Sequence, residues 1–303
     1  MQYKYFLGCV IFTGKEKAFL LQLLNIKDIL NTHETKKGKQ MKSEIRWQFV
    51  DKVGRVVLNF FAAAGRLGLF ASETLIQCFH RPFYLKAFGT QLVEIGFYSL
   101  PVVALTTLFS GMVIALQTYT GFSSFSSEGP VAMVVLISVT RELAPVMAGL
   151  MVAGRIGASM AAELGTMRVT EQIDALTTLS TNPFRYLIVP RVLAGIVMLP
   201  ILVLIGDIIG ICGGYLIGIY KLEFNASTYL MNTWTYLQAM DIVSGMTKAA
   251  VFGFIITLLG CYNGFYSKGG AQGVGQATTN AVVSASILIL IFNYILTEVF
   301  FAL

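Results

Sequence analysis

The sequence predicts an all-α integral membrane protein of about five transmembrane helices, with an N-terminal interfacial helix and one short cytoplasmic helix. Three observations predict it. First, 55% of the 303 residues are hydrophobic and 13% charged, and the mean hydropathy is +0.71, outside the range of ordinary soluble domains. Second, several apolar runs exceed the roughly 20 residues that cross a bilayer. Third, charge is segregated: eleven Lys/Arg stand against five Asp/Glu through Arg55, and eleven of each follow from Val56 onward. A basic juxtamembrane arm of this kind faces anionic lipid on the cytoplasmic side; no nucleic-acid partner is expected.

Residues 1–45 read as a basic, disordered extension, because Asn31 to Gln40 is polar throughout. Met41 opens a basic amphipathic stretch, and the working protein is expected to begin at or near it. The remainder, 46–303, reads as one domain without internal repeats. Within 55–79, Arg55, Asn59, Arg66, Glu73 and Gln77 fall on one helical face, with Phe60, Phe61, Leu67, Phe70 and Leu75 around the remainder. A thin polar stripe holding two Arg favours a helix lying in the interface over one that spans; a first span with a bundle-facing stripe is the alternative.

The first span is placed at about 92–118, kinked at Pro101. The turn-rich Thr120–Pro130 has no Lys or Arg and belongs outside. The second span, about 131–162, holds about 32 residues and reaches ~48 Å, beyond a ~30 Å hydrocarbon core. Its end, with Arg155 and Glu163, is expected to project into the cytoplasm. Small residues recur there at Ala153, Gly157, Ala161 and Gly165, a face suited to helix packing. A short amphipathic helix follows, with Thr170 as its cap, Glu171 and Asp174 in its first turn, and Val169, Ile173 and Leu176 on one face. Arg168, Arg185 and Arg191 put this segment inside. The third span is set at about 190–217, the outer loop at 218–243, and the fourth span at about 245–265. Tyr266–Asn280 reads as a Gly-rich inner loop, and the fifth span, about 279–302, leaves the C-terminus outside.

Chemistry of a catalytic kind is not encoded. No nucleophile set, no paired carboxylates and no metal-ligand spacing occur, and Cys9, Cys78, Cys212 and Cys261 read as small hydrophobes. There is no G-x-x-x-x-G-K-[ST], so no ATP site is expected on this chain. The informative residues are ionisable groups inside spans: Arg141, Glu142 and Lys248. Intramembrane charge is costly and faces a bundle interior or a wet cavity. Two readings remain open for these three, a cavity for a polar headgroup and a network that locks helices. Asp207 and Glu298 suit helix packing or an interface position. A stand-alone secondary transporter using the intramembrane charges is the rival to any ATP-driven reading.

The run RELAPVMAGLMVAGRIGASMAAELGTMRVTEQIDAL (Arg141–Leu176) resembles the signature of the MlaE/YrbE-type permeases, membrane subunits of bacterial lipid ABC transporters. The similarity extends through Leu116–Phe122, Asn182–Gly195, Gly213-Gly214 and Ala277–Ser286. The resemblance implies a non-catalytic inner-membrane homodimer, with two copies of a cytoplasmic ATPase that bind the ATP and Mg, a periplasmic MCE-domain carrier, and phospholipid as substrate. It implies a coupling helix over about 163–178, bearing Glu163, Gly165, Arg168, Thr170, Glu171 and Asp174. It implies a lipid pathway at Tyr119, Arg141, Glu142, Lys248 and Asn293. Asn293 stands where some relatives are expected to have Asp, leaving charge balance to Glu142 alone.

Overall fold

The structure, a computed structural model, describes residues 36–80, 84–122 and 128–301. Among them no strand occurs. The helices are α1 (Lys36–Cys78), α2 (Leu85–Gly96), α3 (Leu100–Phe122), α4 (Glu128–Ser138), α5 (Ala144–Val152), α6 (Ala158–Val169), α7 (Gln172–Thr178), α8 (Val189–Tyr220), α9 (Ala226–Tyr236), α10 (Ala239–Phe265) and α11 (Gly270–Phe301). Five segments are long and apolar enough to cross a membrane: Leu85–Phe122, Gly129–Val169, Phe184–Tyr220, Ala239–Phe265 and Gly270–Phe301. Each of the first four contains its expected span and extends it; the fifth starts well before 279, because helices run on past the hydrocarbon edge that hydropathy detects.

The chain divides into two compact units, 1–66 and 67–303. In the first, the described part is the N-terminal portion of α1. This helix is described from Lys36 onward, where Lys, Gln and Glu are good helix formers despite their polarity. The expected start near Met41 concerns residues 1–35, which lie outside the described residues. In the second unit the end of α1 is fastened by Phe70, buried against the rings of Phe184, Tyr262, Phe265 and Tyr266 at 5.2–6.1 Å. Arg185 Nε also donates to Gln77 Oε1 at 2.6 Å.

The first span is broken, not kinked. Helix α2 ends at Gly96, Ser99 N turns back to Gly96 O, and Pro101 sits in the first turn of α3, where a missing N–H costs nothing. Arg155 is tied into this joint instead of projecting from the bundle. Its Nη1 donates to Glu94 O (3.1 Å) and Ser99 Oγ (2.7 Å), with its guanidinium 5.8 Å from the Tyr98 ring centroid. The break opens the backbone carbonyl of Glu94 to it, and the Ser99 side chain adds a second acceptor.

Helix α10 is the centre of the bundle, 61% of its most apolar window being buried against 11% for α11. Small residues let backbones meet there. A Cβ on Gly264 would lie 2.8 Å from Ala161 O, and one on Gly260 would lie 3.1 Å from Gly157 O. Gly195 and Gly253 abut across α8 and α10, and Gly111 and Gly210 across α3 and α8.

Two expected loops are largely helix. Within 218–243, Asn225 Oδ1 accepts from Ser227 N and Thr228 N and so starts α9. Tyr229 on that helix is buried, which pushes its hydroxyl up to about 12. Of the Gly-rich 266–280, only 266–269 is loop. Gly269 and Gly270 take positive φ (+94° and +66°), and a side chain on Gly273 would collide with Lys268 O, so the glycines build one tight turn before α11.

Candidate functional site

The second span carries a π-turn at Val139–Leu143, just ahead of Pro145 in the first turn of α5. Proline has no N–H to give the carbonyl four residues back, which is that of Arg141. Lys248 Nζ fills the place, donating to Arg141 O at 2.8 Å. The approach is possible because Gly245, one turn earlier on α10, has no side chain: a Cβ there would lie 2.8 Å from Thr140 O. Local backbone chemistry thus draws a lysine into the bundle.

Around this contact the charges pair. Lys248 Nζ also donates to Glu142 Oε1 (2.8 Å) and to Thr297 Oγ1 (2.8 Å), and its side chain is fully buried. Asn293 Nδ2 donates to Glu142 Oε2 at 2.8 Å. The Thr297 hydroxyl has one proton, with Glu142 Oε1 (2.9 Å) and Asn293 O (2.8 Å) as acceptors in reach. Arg141 Nε meets Asp241 Oδ1 at 2.7 Å, and its guanidinium lies 4.3 Å from the centroid of the Phe301 ring. Asp241 is the third residue of α10, and its Oδ2 takes the Gln238 N–H in a capping box. Two cations and two carboxylates therefore balance. The balance differs from the expectation that Glu142 would act alone: Asp241, assigned to an outer loop by its neighbours, is the second carboxylate.

Of the five lipid-pathway candidates, the structure brings together Arg141, Glu142, Lys248 and Asn293. Tyr119 stands apart, half-buried on α3 with its ring 5.8 Å from that of Phe224. Sequence reasoning missed Asp241, Thr297 and Phe301. The cues were present: Gln238 and Asp241 have capping-box spacing, and Thr297 and Phe301 follow Asn293 at helical intervals. Beside the cluster, Phe109, Ser110, Val113 and Ile114 of α3 and Leu143 line an open, mainly apolar groove of about 320 Å³.

The same span ends at the other group of candidates. Ala153, Gly157, Ala161 and Gly165 are buried, the last against Val274 and Ser267. Glu163 Oε1 pairs with Arg191 Nη2 at 2.7 Å, the arginine being 5% exposed. Arg168 Nη1 and Asp174 Oδ1 close a 2.6 Å pair across the turn between α6 and α7. Thr170 does not cap the second helix: its hydroxyl donates back to Thr166 O (2.9 Å), closing α6. Glu171 precedes α7 in left-handed conformation (φ +59°), with no side-chain cap. This break separates Val169, which is exposed, from Ile173, which is buried, so the three apolar positions do not share one face. Among the described residues no group of three potential metal ligands occurs.

The model of the family described as Permease MlaE matches residues 88–299. A probable ABC transporter permease protein of Rickettsia felis is 59% identical over 251 residues, covering 83% of this chain and 97% of that one. The intermembrane phospholipid transport system permease protein MlaE of Haemophilus influenzae is 35% identical over 261 residues, covering 84% and 97%. The chloroplastic protein TRIGALACTOSYLDIACYLGLYCEROL 1 of Arabidopsis thaliana is 38% identical over 211 residues, covering 70% and 60%.

Proposed function

Because the chain belongs to the MlaE family of ABC transporter permeases, we propose that it moves phospholipid between the inner membrane and a periplasmic MCE-type carrier. A separate ATPase supplies the power. The functional unit in this reading is a homodimer bound to two ATPase copies, which hold the ATP and Mg; the permease itself is not catalytic. The N-terminus is cytoplasmic and the C-terminus periplasmic. Residues 163–178 form the ATPase-facing input, and Arg141, Glu142, Lys248 and Asn293 belong to the lipid pathway.

One observation carries the reading. Helix runs without interruption over 128–169, joining the Arg168–Asp174 corner to the Arg141/Glu142 cluster. From Arg141 to Arg168 the helix rises through 27 residue steps, about 40 Å at 1.5 Å each. A push on α7, passed through the Arg168–Asp174 pair, has a continuous helical path to the cluster by way of the π-turns at 153–157 and 139–143, as coupling between two sites requires. Phospholipid as cargo is supported by the name of the Haemophilus influenzae relative.

The experiment is co-purification. Asp174→Lys removes the Arg168 partner and reverses charge on an exposed corner of α7. The variant is expected to insert into the membrane normally and to lose the ATPase from a pull-down. Undiminished recovery of the ATPase would remove α7 from the coupling role.

A further inference from the structure

Inside the cluster, buried and accessible groups divide in a way that bears on cargo. Lys248 has three protons and three acceptors: Arg141 O, Glu142 Oε1 and Thr297 Oγ1. With a fully buried side chain, it has nothing left for a ligand. Asp241 is equally buried, its oxygens taken by Arg141 Nε and Gln238 N. These two are internal counter-ions.

Their partners are different. Arg141 is 26% exposed and Glu142 38% exposed. The two terminal guanidinium nitrogens of Arg141 have no partner among the described residues, leaving the fork that suits phosphate bidentately. Glu142 Oε2 accepts from Asn293, and Asn293 Oδ1 is a buried acceptor with no partner among the described residues, a demand for a donor that the protein leaves unmet. One side of the cluster lacks an anion with acceptors, and the other lacks donors. Helix α11 orders the two sides: Asn293 and Thr297 bond Glu142, and Phe301, one turn beyond Thr297, stacks on Arg141.

We propose that this cluster selects phospholipids whose headgroup ends in a primary ammonium, with the phosphate on the Arg141 fork and the ammonium on Glu142 Oε2 and Asn293 Oδ1. The inference rests on the reading of the chain as a phospholipid permease and adds the headgroup to it. A glycerol headgroup brings a phosphate but only neutral hydroxyl donors, and a choline headgroup brings a cation with no N–H. Charge-assisted hydrogen bonds are about twice as strong as neutral ones. One such difference corresponds to about a tenfold preference.

The test reconstitutes the full chain in vesicles of equimolar phosphatidylethanolamine, phosphatidylglycerol and phosphatidylcholine, re-extracts it, and compares bound with bulk lipid by mass spectrometry. The wild-type protein is expected to carry phosphatidylethanolamine enriched about tenfold over either competitor. Glu142→Gln is expected to keep bound lipid and bring its composition to the bulk ratio. Arg141→Lys keeps a cation for Asp241 but loses the fork; it is expected to lower total bound lipid about tenfold and leave the enrichment in what remains. Lipid bound at the bulk ratio by the wild-type protein overturns the headgroup inference alone. Absence of any bound phospholipid overturns the permease reading beneath it. Enrichment that persists in Glu142→Gln also overturns the inference, and the wild-type arm stands whether or not that variant folds.

Discussion

Lys248 is held by three oxygens at 2.8 Å in a fully buried position, so its loss leaves a carboxylate and a backbone carbonyl without their donor. Glu142 is 38% exposed and keeps its Asn293 and Thr297 donors, so the loss is that of a hydrogen-bond donor to a buried carbonyl and one carboxylate oxygen, about 1–3 kcal/mol. Lys248→Met is therefore expected to lower the thermal unfolding midpoint in detergent clearly. Part of that cost is specific to Pro145, whose missing N–H is why Arg141 O needs the lysine at all. Adding Pro145→Ala to Lys248→Met restores a backbone donor and is expected to recover about 1 kcal/mol, the worth of one hydrogen bond. If the double variant melts no higher than Lys248→Met, the carbonyl capture is not what the lysine does for stability. At this scale the sequence was readable for charge and not for pairing. Arg141, Glu142 and Lys248 announced themselves because charge in a span is costly. Asp241 did not, because its role depends on α10 beginning at Ala239, a boundary that hydropathy places several residues later.

Helix packing discriminates between glycines that look alike in the sequence. Gly264 faces Ala161 O and Leu164 Cβ, each 2.8 Å from where its Cβ would be, whereas a Cβ on Gly154 would meet nothing within 4 Å. Gly264→Ala is expected to destabilise by about 1–3 kcal/mol, as overpacking does. Gly154→Ala is expected to be neutral or to stabilise by up to about 1 kcal/mol through helix propensity. Thermal unfolding of the two variants side by side checks this, and equal effects would contradict the packing of α6 on α10. The elements themselves were legible as periodic or apolar runs, and all five spans fall where hydropathy places them. What escaped was local. The break at 97–99 is a short turn, Ser99 N to Gly96 O, onto which Arg155 reaches at Glu94 O and Ser99. The start of α9 depends on one asparagine cap, and the length of the 266–269 turn on two glycines with positive φ. Each is decided by a contact or a dihedral that composition averages away.

At the scale of the molecule, one stiff element joins two unlike ends. At one end, Glu163 is tied to Arg191 and Arg168 to Asp174; at the other, Glu142 is shared by Lys248, Thr297 and Asn293. The family and the membrane character were legible from the long signature through Arg141–Leu176, since so many residue choices coincide there. The detail of the cluster was not, because its other members come from α10 and α11, about a hundred residues or more from Glu142 in the chain. The account's central claim is that ATP-driven force reaches this cluster and that the cluster handles lipid. The most direct measurement is transfer of labelled phospholipid between liposomes holding the reconstituted permease–ATPase complex and the periplasmic carrier, for the wild-type protein and Glu142→Ala. The account predicts ATP-dependent transfer by the wild-type complex, and its loss in the variant with the ATPase still bound. Normal transfer by Glu142→Ala, or transfer by the wild-type permease without any ATPase, would contradict it.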